Sequence, residues 1–256
     1  MNTCKKNCYI VFHQGYTDII NCLSLINYNI DKYECIYVII RKDMKNMMDY
    51  LYKNNYNNIN FIYIEKQNDG ILENMDKFYD YFEQIINNCD NEIQFFGLYD
   101  IYRKDKYTNK FAMTNGFFVQ KFYEAYDINY NIRIEKFIFN RNYKQENDLY
   151  LRVNPNNDKY ILIHENVSNN ILINRNFITN NYKIINLDML SDIFFDAIKL
   201  IENAEEIHCI DSSWLTFIYL LNSKYKLLNA KINIYGHCIR NYHEMYNPKF
   251  DNMILL

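Results

Sequence analysis

"IVFHQGYTDIINCL", from Ile10 to Leu23, decides how the chain is read. An apolar run ends at His13, one glycine follows at Gly15, and Ile19, Leu23 and Ile26 then recur at helical spacing. Strand, glycine turn and helix form the layout of a nucleotide-binding corner. A dinucleotide site places several glycines in that turn, and this one has Gly15 alone. Gly15 is expected to allow a tight turn with positive φ, and Thr17 or Asp18 to cap the helix. Free amides at a helix start welcome an anion, but a carboxylate there fills that role and repels a phosphate. Two readings of Asp18 stay open: a helix cap, or a base that accepts a proton from a substrate hydroxyl.

The rest of the chain extends the alternation. "NCYIVFH" (7–13), "ECIYVII" (34–40), "INFIYIE" (59–65) and "EIQFFGLYD" (92–100) read as strands, with helices expected over 18–27, 43–53 and 73–87. Continuous apolar strands between helices of that length predict βαβ units and a mainly parallel sheet. "FFVQKFYEAYDI" (117–128) reads as a helix, "RIEKFIF" (133–139) as a short strand, and the polar stretch 140–158, with Pro155, as a linker. The alternation then resumes: strands at "KYILIHE" (159–165), "YKIINLD" (182–188), "EIHCID" (206–211) and "KINIYGHC" (231–238), helices at 193–204 and 212–223. The expectation is an α/β chain of two lobes in series, 1–150 and 151–256, each with a parallel sheet, and a cleft between the carboxyl ends of the sheets.

Composition narrows the partners. Of 256 residues 49% are hydrophobic, ample for a buried core. A formal net charge of -3 leaves no basic footprint for a nucleic acid. The apolar run before His13 is too short for a signal peptide or a membrane span, and later runs are cut by Asn, Asp or Lys, so the protein is expected in a cytoplasm. Seven scattered cysteines without CxxC spacing predict buried free thiols rather than a zinc site or disulfides.

Three further places can carry chemistry. In "AEEIHCIDSSWLTFIYLL" (204–221) a strand ends at Asp211, and Ser212 and Ser213 open a helix with no carboxylate inside it, a cradle for a diphosphate. The plainer reading is a serine cap with Trp214 as packing. "ILIHENVSNN" (161–170) puts His164 at a strand end and Ser168 in the loop after it; the histidine can donate to a phosphate, transfer a proton, or be structural. "YGHCIRNYH" (235–243) offers His237, Arg240 and His243; Arg240 suits a phosphate or carboxylate, and the spacing does not match a zinc helix. P-loop, G-x-G-x-x-G, GxSxG and protein-kinase motifs are absent, as is a DxD that would hold a metal on a sugar nucleotide.

Together, "GYTDIIN" (15–21) after a strand and "IENAEEIHCIDSSWLTFIYLL" (201–221) resemble glycosyltransferases of the GT-B fold, particularly the heptosyltransferase-like group (family 9-like), with a comparable "SSF" segment in fucosyltransferases. Thr17 stands where that group's turn has a second glycine, and Trp214 and Thr216 where it has a small residue and a nearby histidine. The resemblance implies two Rossmann-like lobes and transfer of a sugar from a nucleotide-sugar to a hydroxyl of a glycan, lipid-linked or protein acceptor, without metal or cofactor. It makes Asp18 the base, with His13, Gly15 and Thr17 on the acceptor-side turn. Asp211, Ser212 and Ser213 contact the donor, with His164 or Ser168 at the other side of its phosphates; Arg240, read from its own stretch, is the further donor-side candidate. The alternatives are a GT-B-like module that binds a glycan or nucleotide without catalysis, and a small-molecule enzyme on a single doubly wound sheet.

Overall fold

The computed structural model describes residues 6–12, 15–53, 55–64, 92–96, 118–166, 170–178, 181–190, 194–226, 233–237 and 253–256. The chain divides into two compact units, Met1–Ile138 and Phe139–Leu256.

The first unit is built on β1 (Cys8–Phe12), β2 (Ile36–Arg41), β3 (Ile59–Ile64) and β4 (Glu92–Phe96), all parallel in the order β3-β2-β1-β4. Every residue of β1 is buried, which is why its sequence runs apolar instead of alternating. Four helices are described: α1 (Tyr16–Asn29), α2 (Lys45–Tyr52), α3 (Phe118–Glu124) and α4 (Ile132–Glu135). The helix expected over 18–27 is α1, and that over 43–53 is α2, entered through a 3-10 turn at Lys42–Met44; the one expected over 73–87 lies outside the described residues. The segment 133–139, expected as a strand, instead begins in the single turn of α4. Tertiary bonds decide this: Ser24 Oγ on α1 donates to the Arg133 carbonyl at 2.6 Å, and buried Arg133 donates through Nη1 to Asn21 Oδ1 at 3.0 Å. Such bonds outweigh a β preference of well under a few kcal/mol.

The second unit contains α5 (Tyr143–Val153), β5 (Tyr160–His164), β6 (Lys183–Asn186), α6 (Ile198–Glu202), β7 (Glu206–Ile210), α7 (Ser213–Tyr225), β8 (Asn233–His237) and β9 (Met253–Leu255). Its sheet is parallel throughout, in the order β6-β5-β7-β8-β9. The polar stretch read as a linker folds in its middle as α5. Asn142 caps that helix by accepting from the Gln145 amide, and Leu149 and Tyr150 are buried. Arg141 clamps buried Glu146 and also reaches Glu202 on α6 at 2.6 Å, so two of the charges that made the stretch look solvated are paired inside the unit. Of the helix expected over 193–204, Phe194–Ala197 is 3-10 and α6 follows.

Period-two alternation splits this second sheet into unlike faces. Tyr160 and Leu162 belong to one face, where the Tyr160 hydroxyl donates to the Leu200 carbonyl of α6 at 2.7 Å. Ile161, Ile163 and Ile210 belong to the other, where they form an apolar cluster with Ile173, against which Ile178 and Tyr182 pack. That second face also carries Glu206, His208 and His237, all buried.

Candidate functional site

In an open parallel sheet, ligands bind beyond the carboxyl ends of the strands where the strand order reverses. In the first unit the reversal lies between β1 and β4, and α1 follows β1. Gly15 is the residue before the helix, with φ -72° and ψ 143°, ordinary extended backbone. The expected positive φ is therefore not found, and neither Thr17 nor Asp18 is the capping residue: both lie inside the first helical turn, and the cap position is held by Gly15, which has no side chain. The Thr17 carbonyl accepts from Asn21 Nδ2 at 2.9 Å. Asp18 is half-buried, and a carboxylate in the first turn complements the helix dipole. His13 lies outside the described residues.

A polar cluster braces this end of α1. The Tyr123 hydroxyl of α3 donates to the Asn21 carbonyl at 2.5 Å, and the Arg133 guanidinium lies 4.6 Å from the Tyr130 ring centroid. The thiol of Cys22, one turn beyond Asp18, is pushed up first by burial and then by the Asp18 charge, while Arg133 draws it down. Asp18 and a buried cation thus act on the same thiol, and the helix that carries Asp18 is tied to two others.

In the second unit the order reverses between β5 and β7. His164 ends β5; Asp211 and Ser212 join β7 to α7. The Asp211 amide donates to the His237 carbonyl at 3.2 Å. Ser212 is extended, with φ -158°, and its Oγ accepts from the Leu215 amide at 3.4 Å, so it is the N-cap that the sequence offered as its plainer reading. Ser213 is the first helical residue, and the first turn holds no acidic side chain. Trp214 is buried, its ring 4.4 Å from that of Phe194. Three of the expected donor-side residues, Asp211, Ser212 and Ser213, are consecutive at the switch point, with His164 on the strand across it. Ser168 and Arg240 lie outside the described residues.

His164 Nδ1 is 2.5 Å from Asp188 Oδ1. Its neighbour Glu165 is buried and committed to the fold, accepting from the Ile173 amide at 3.0 Å and from Arg175 Nη2 at 2.5 Å. Beneath the same segment runs a chain of polar groups that sequence reasoning missed. The Asn174 amide donates to His237 Nδ1 at 3.2 Å; His237 Nε2 is 3.1 Å from His208 Nδ1, and His208 Nε2 is 3.1 Å from Glu206 Oε2. An amide only donates, so each neutral ring carries its proton on Nε2 and the donors all point toward Glu206. Burial lowers both histidines, His237 to about 4, with His208 and Arg175 adding to the effect on His237. Glu206 and His208 sit two apart on one strand, so "EIH" already placed them on one face. Asp188 was legible only as the acid closing the strand expected over 182–188.

Among the described residues no group of His, Cys, Asp and Glu is arranged to hold a metal ion, and no helix is long and apolar enough to cross a membrane. The thiols of Cys8, Cys22 and Cys209 are buried and pushed up by that burial.

The fold is that of an α/β protein with two parallel sheets, each with a reversal of strand order. Solved structures of the same fold are glycosyltransferases. The glycosyl transferase family 9 protein from Veillonella parvula aligns over 100% of this chain and 87% of its own, with 8% identity and a TM-score of 0.52. The E. coli ADP-heptose lps heptosyltransferase II aligns over 98% of this chain and 90% of its own, with 10% identity and a TM-score of 0.53. No family model and no curated protein matches the sequence. The likeness is one of fold, and it agrees with the GT-B resemblance read from the two motifs.

Proposed function

We propose that the protein is a glycosyltransferase that moves a sugar from a nucleotide-sugar donor to an acceptor hydroxyl. The observation that carries this reading is the contrast between the two switch points. One presents a half-buried carboxylate in the first turn of α1; the other presents a serine-capped helix start without an acid. The first suits a hydroxyl and the second a diphosphate. Structural neighbours that are glycosyl- and heptosyltransferases, one of them named for ADP-heptose, support the same class.

Each corner then takes one half of the reaction. The Asp18 carboxylate accepts the acceptor's hydroxyl proton as its oxygen bonds to the anomeric carbon of the donor. The bond from that carbon to the diphosphate oxygen breaks, and the α7 amides, Ser213 and His164 stabilise the departing nucleoside diphosphate, with Ser168 and Arg240 assigned to the same phosphates. Asp211 serves the donor's sugar hydroxyls. This chemistry needs no metal or cofactor, and an acceptor on a glycan, lipid or protein in the cytoplasm fits it. The second reading, a module that binds without catalysis, draws on Ser212 Oγ being occupied as a cap. Calorimetry with UDP-, GDP-, ADP- and CMP-sugars separates the two. Donor binding with slow donor hydrolysis supports the transferase; no binding by any donor contradicts it.

A further inference from the structure

The described histidines differ in how completely the fold uses them. In His208 and His237 both ring nitrogens are bonded inside the second unit. In His164 the Nδ1 contact with Asp188 is the one polar contact among the described residues, and Nε2 is left over. The ring is 12% exposed, at the carboxyl end of β5, beside the reversal of strand order. A histidine with one nitrogen fixed and one to spare is built for a partner that the other two rings have no room for.

Asp188 is itself held in place. It lies in the 3-10 turn Leu187–Met189 that follows β6, the strand paired with β5. Asn186 caps that turn, its Oδ1 accepting from the Asp188 amide at 2.9 Å, and Leu187 is fully buried beneath it. A carboxylate only accepts, so the contact at 2.5 Å requires the proton on His164 Nδ1. With Nδ1–H donated to Asp188, Nε2 is the ring atom left for a ligand, and when it too carries a proton it donates to a phosphate oxygen.

We propose that Asp188 is a positioning residue: it fixes the ring orientation and tautomer of His164 so that Nε2 meets the diphosphate of a nucleoside diphosphate at the β5/β7 switch point. The inference rests on the nucleotide-sugar reading above. No covalent step is involved.

The test is calorimetric titration of ADP, UDP and GDP. The wild type is expected to bind one of them. His164→Gln is expected to bind it roughly tenfold more weakly, as the loss of one charge-assisted hydrogen bond implies. Asp188→Asn is expected to weaken binding in the same way, and the double variant to bind no more weakly than His164→Gln alone. If Asp188→Asn keeps wild-type affinity, or weakens binding as much without His164 as with it, the positioning role is overturned. Imidazole nitrogen chemical shifts of the unliganded wild type check the geometry without any variant: Nδ1 protonated is the expected result, and an Nε2–H tautomer overturns the proposal. If none of the three diphosphates binds the wild type, the nucleotide reading fails and the assignment of a diphosphate to Nε2 falls with it. A failure of the dyad alone leaves binding intact and removes only the Asp188 and His164 coupling.

Discussion

The two helix starts that follow β1 and β7 use the same architecture with opposite chemistry. Both lie where strand order reverses, and both lead into a helix of thirteen or fourteen residues with a largely buried body. At α1 the cap position is Gly15 and Asp18 in the first turn supplies the charge; at α7 Ser212 supplies the cap and no acid is present in the first turn. A helix dipole is satisfied either way. What differs is the charge beside the free amides: the first corner has a fixed carboxylate in its first turn, and the second has none.

The largest effect expected from breaking this contrast is on catalysis. Asp18→Asn keeps the shape of the first turn and removes the base, so transfer should fall by about 10² to 10⁴, with donor binding unchanged. Steady-state transfer with a donor identified by calorimetry checks this, and full activity in the variant refutes the role of Asp18.

The second contrast is in acid. His208 and His237 are held below the ordinary imidazole value near 6.5, His237 at about 4. A depressed folded value means that the neutral form is the one the fold stabilises. That contribution is complete above about pH 6.5 and is lost as pH falls toward 4, where the unfolded chain gains protons that the folded chain refuses. The shift at His237 amounts to about 3 kcal/mol at most. Thermal unfolding from pH 7 down to 4 should show a falling midpoint, with amide exchange rising first in β7 and β8. His208→Gln should flatten the acid slope; an unchanged slope in that variant contradicts the account.

A smaller effect is expected at the cap. Ser212→Ala should destabilise the second unit by about 1 kcal/mol, seen as a lower denaturant midpoint at constant slope. A variant as stable as the wild type shows that the long bond to the Leu215 amide contributes nothing.

Much of the sheet architecture was legible because parallel strands covered on both faces run continuously apolar. "CYIVF", "IYVII" and "YILI" left little choice of element. The motif at 211–213 was legible too, as a strand end followed by two hydroxyls and an apolar helix. The failures share one cause, bonds to distant residues. Arg133 lies in a helical turn because Asn21 and Ser24, more than a hundred residues earlier, hold it there. The stretch around Glu146 looked like a linker because its charges find their partners only in the folded unit. Gly15 misled in another way: a glycine after a strand suggested a special φ, and the corner adopts an ordinary one. The Glu206, His208 and His237 chain needs β7 beside β8, a pairing that no local pattern announces.

The most direct test of the division between the corners is to make the second resemble the first. Ser213→Asp places a carboxylate in the first turn of α7, where the dipole tolerates it and a phosphate does not. ADP, UDP and GDP are titrated into the wild type, Ser213→Asp and Asp18→Asn. The account predicts that binding seen in the wild type persists in Asp18→Asn and weakens at least about tenfold in Ser213→Asp. Binding that survives in Ser213→Asp and fails in Asp18→Asn would place the nucleotide on the first corner and contradict it.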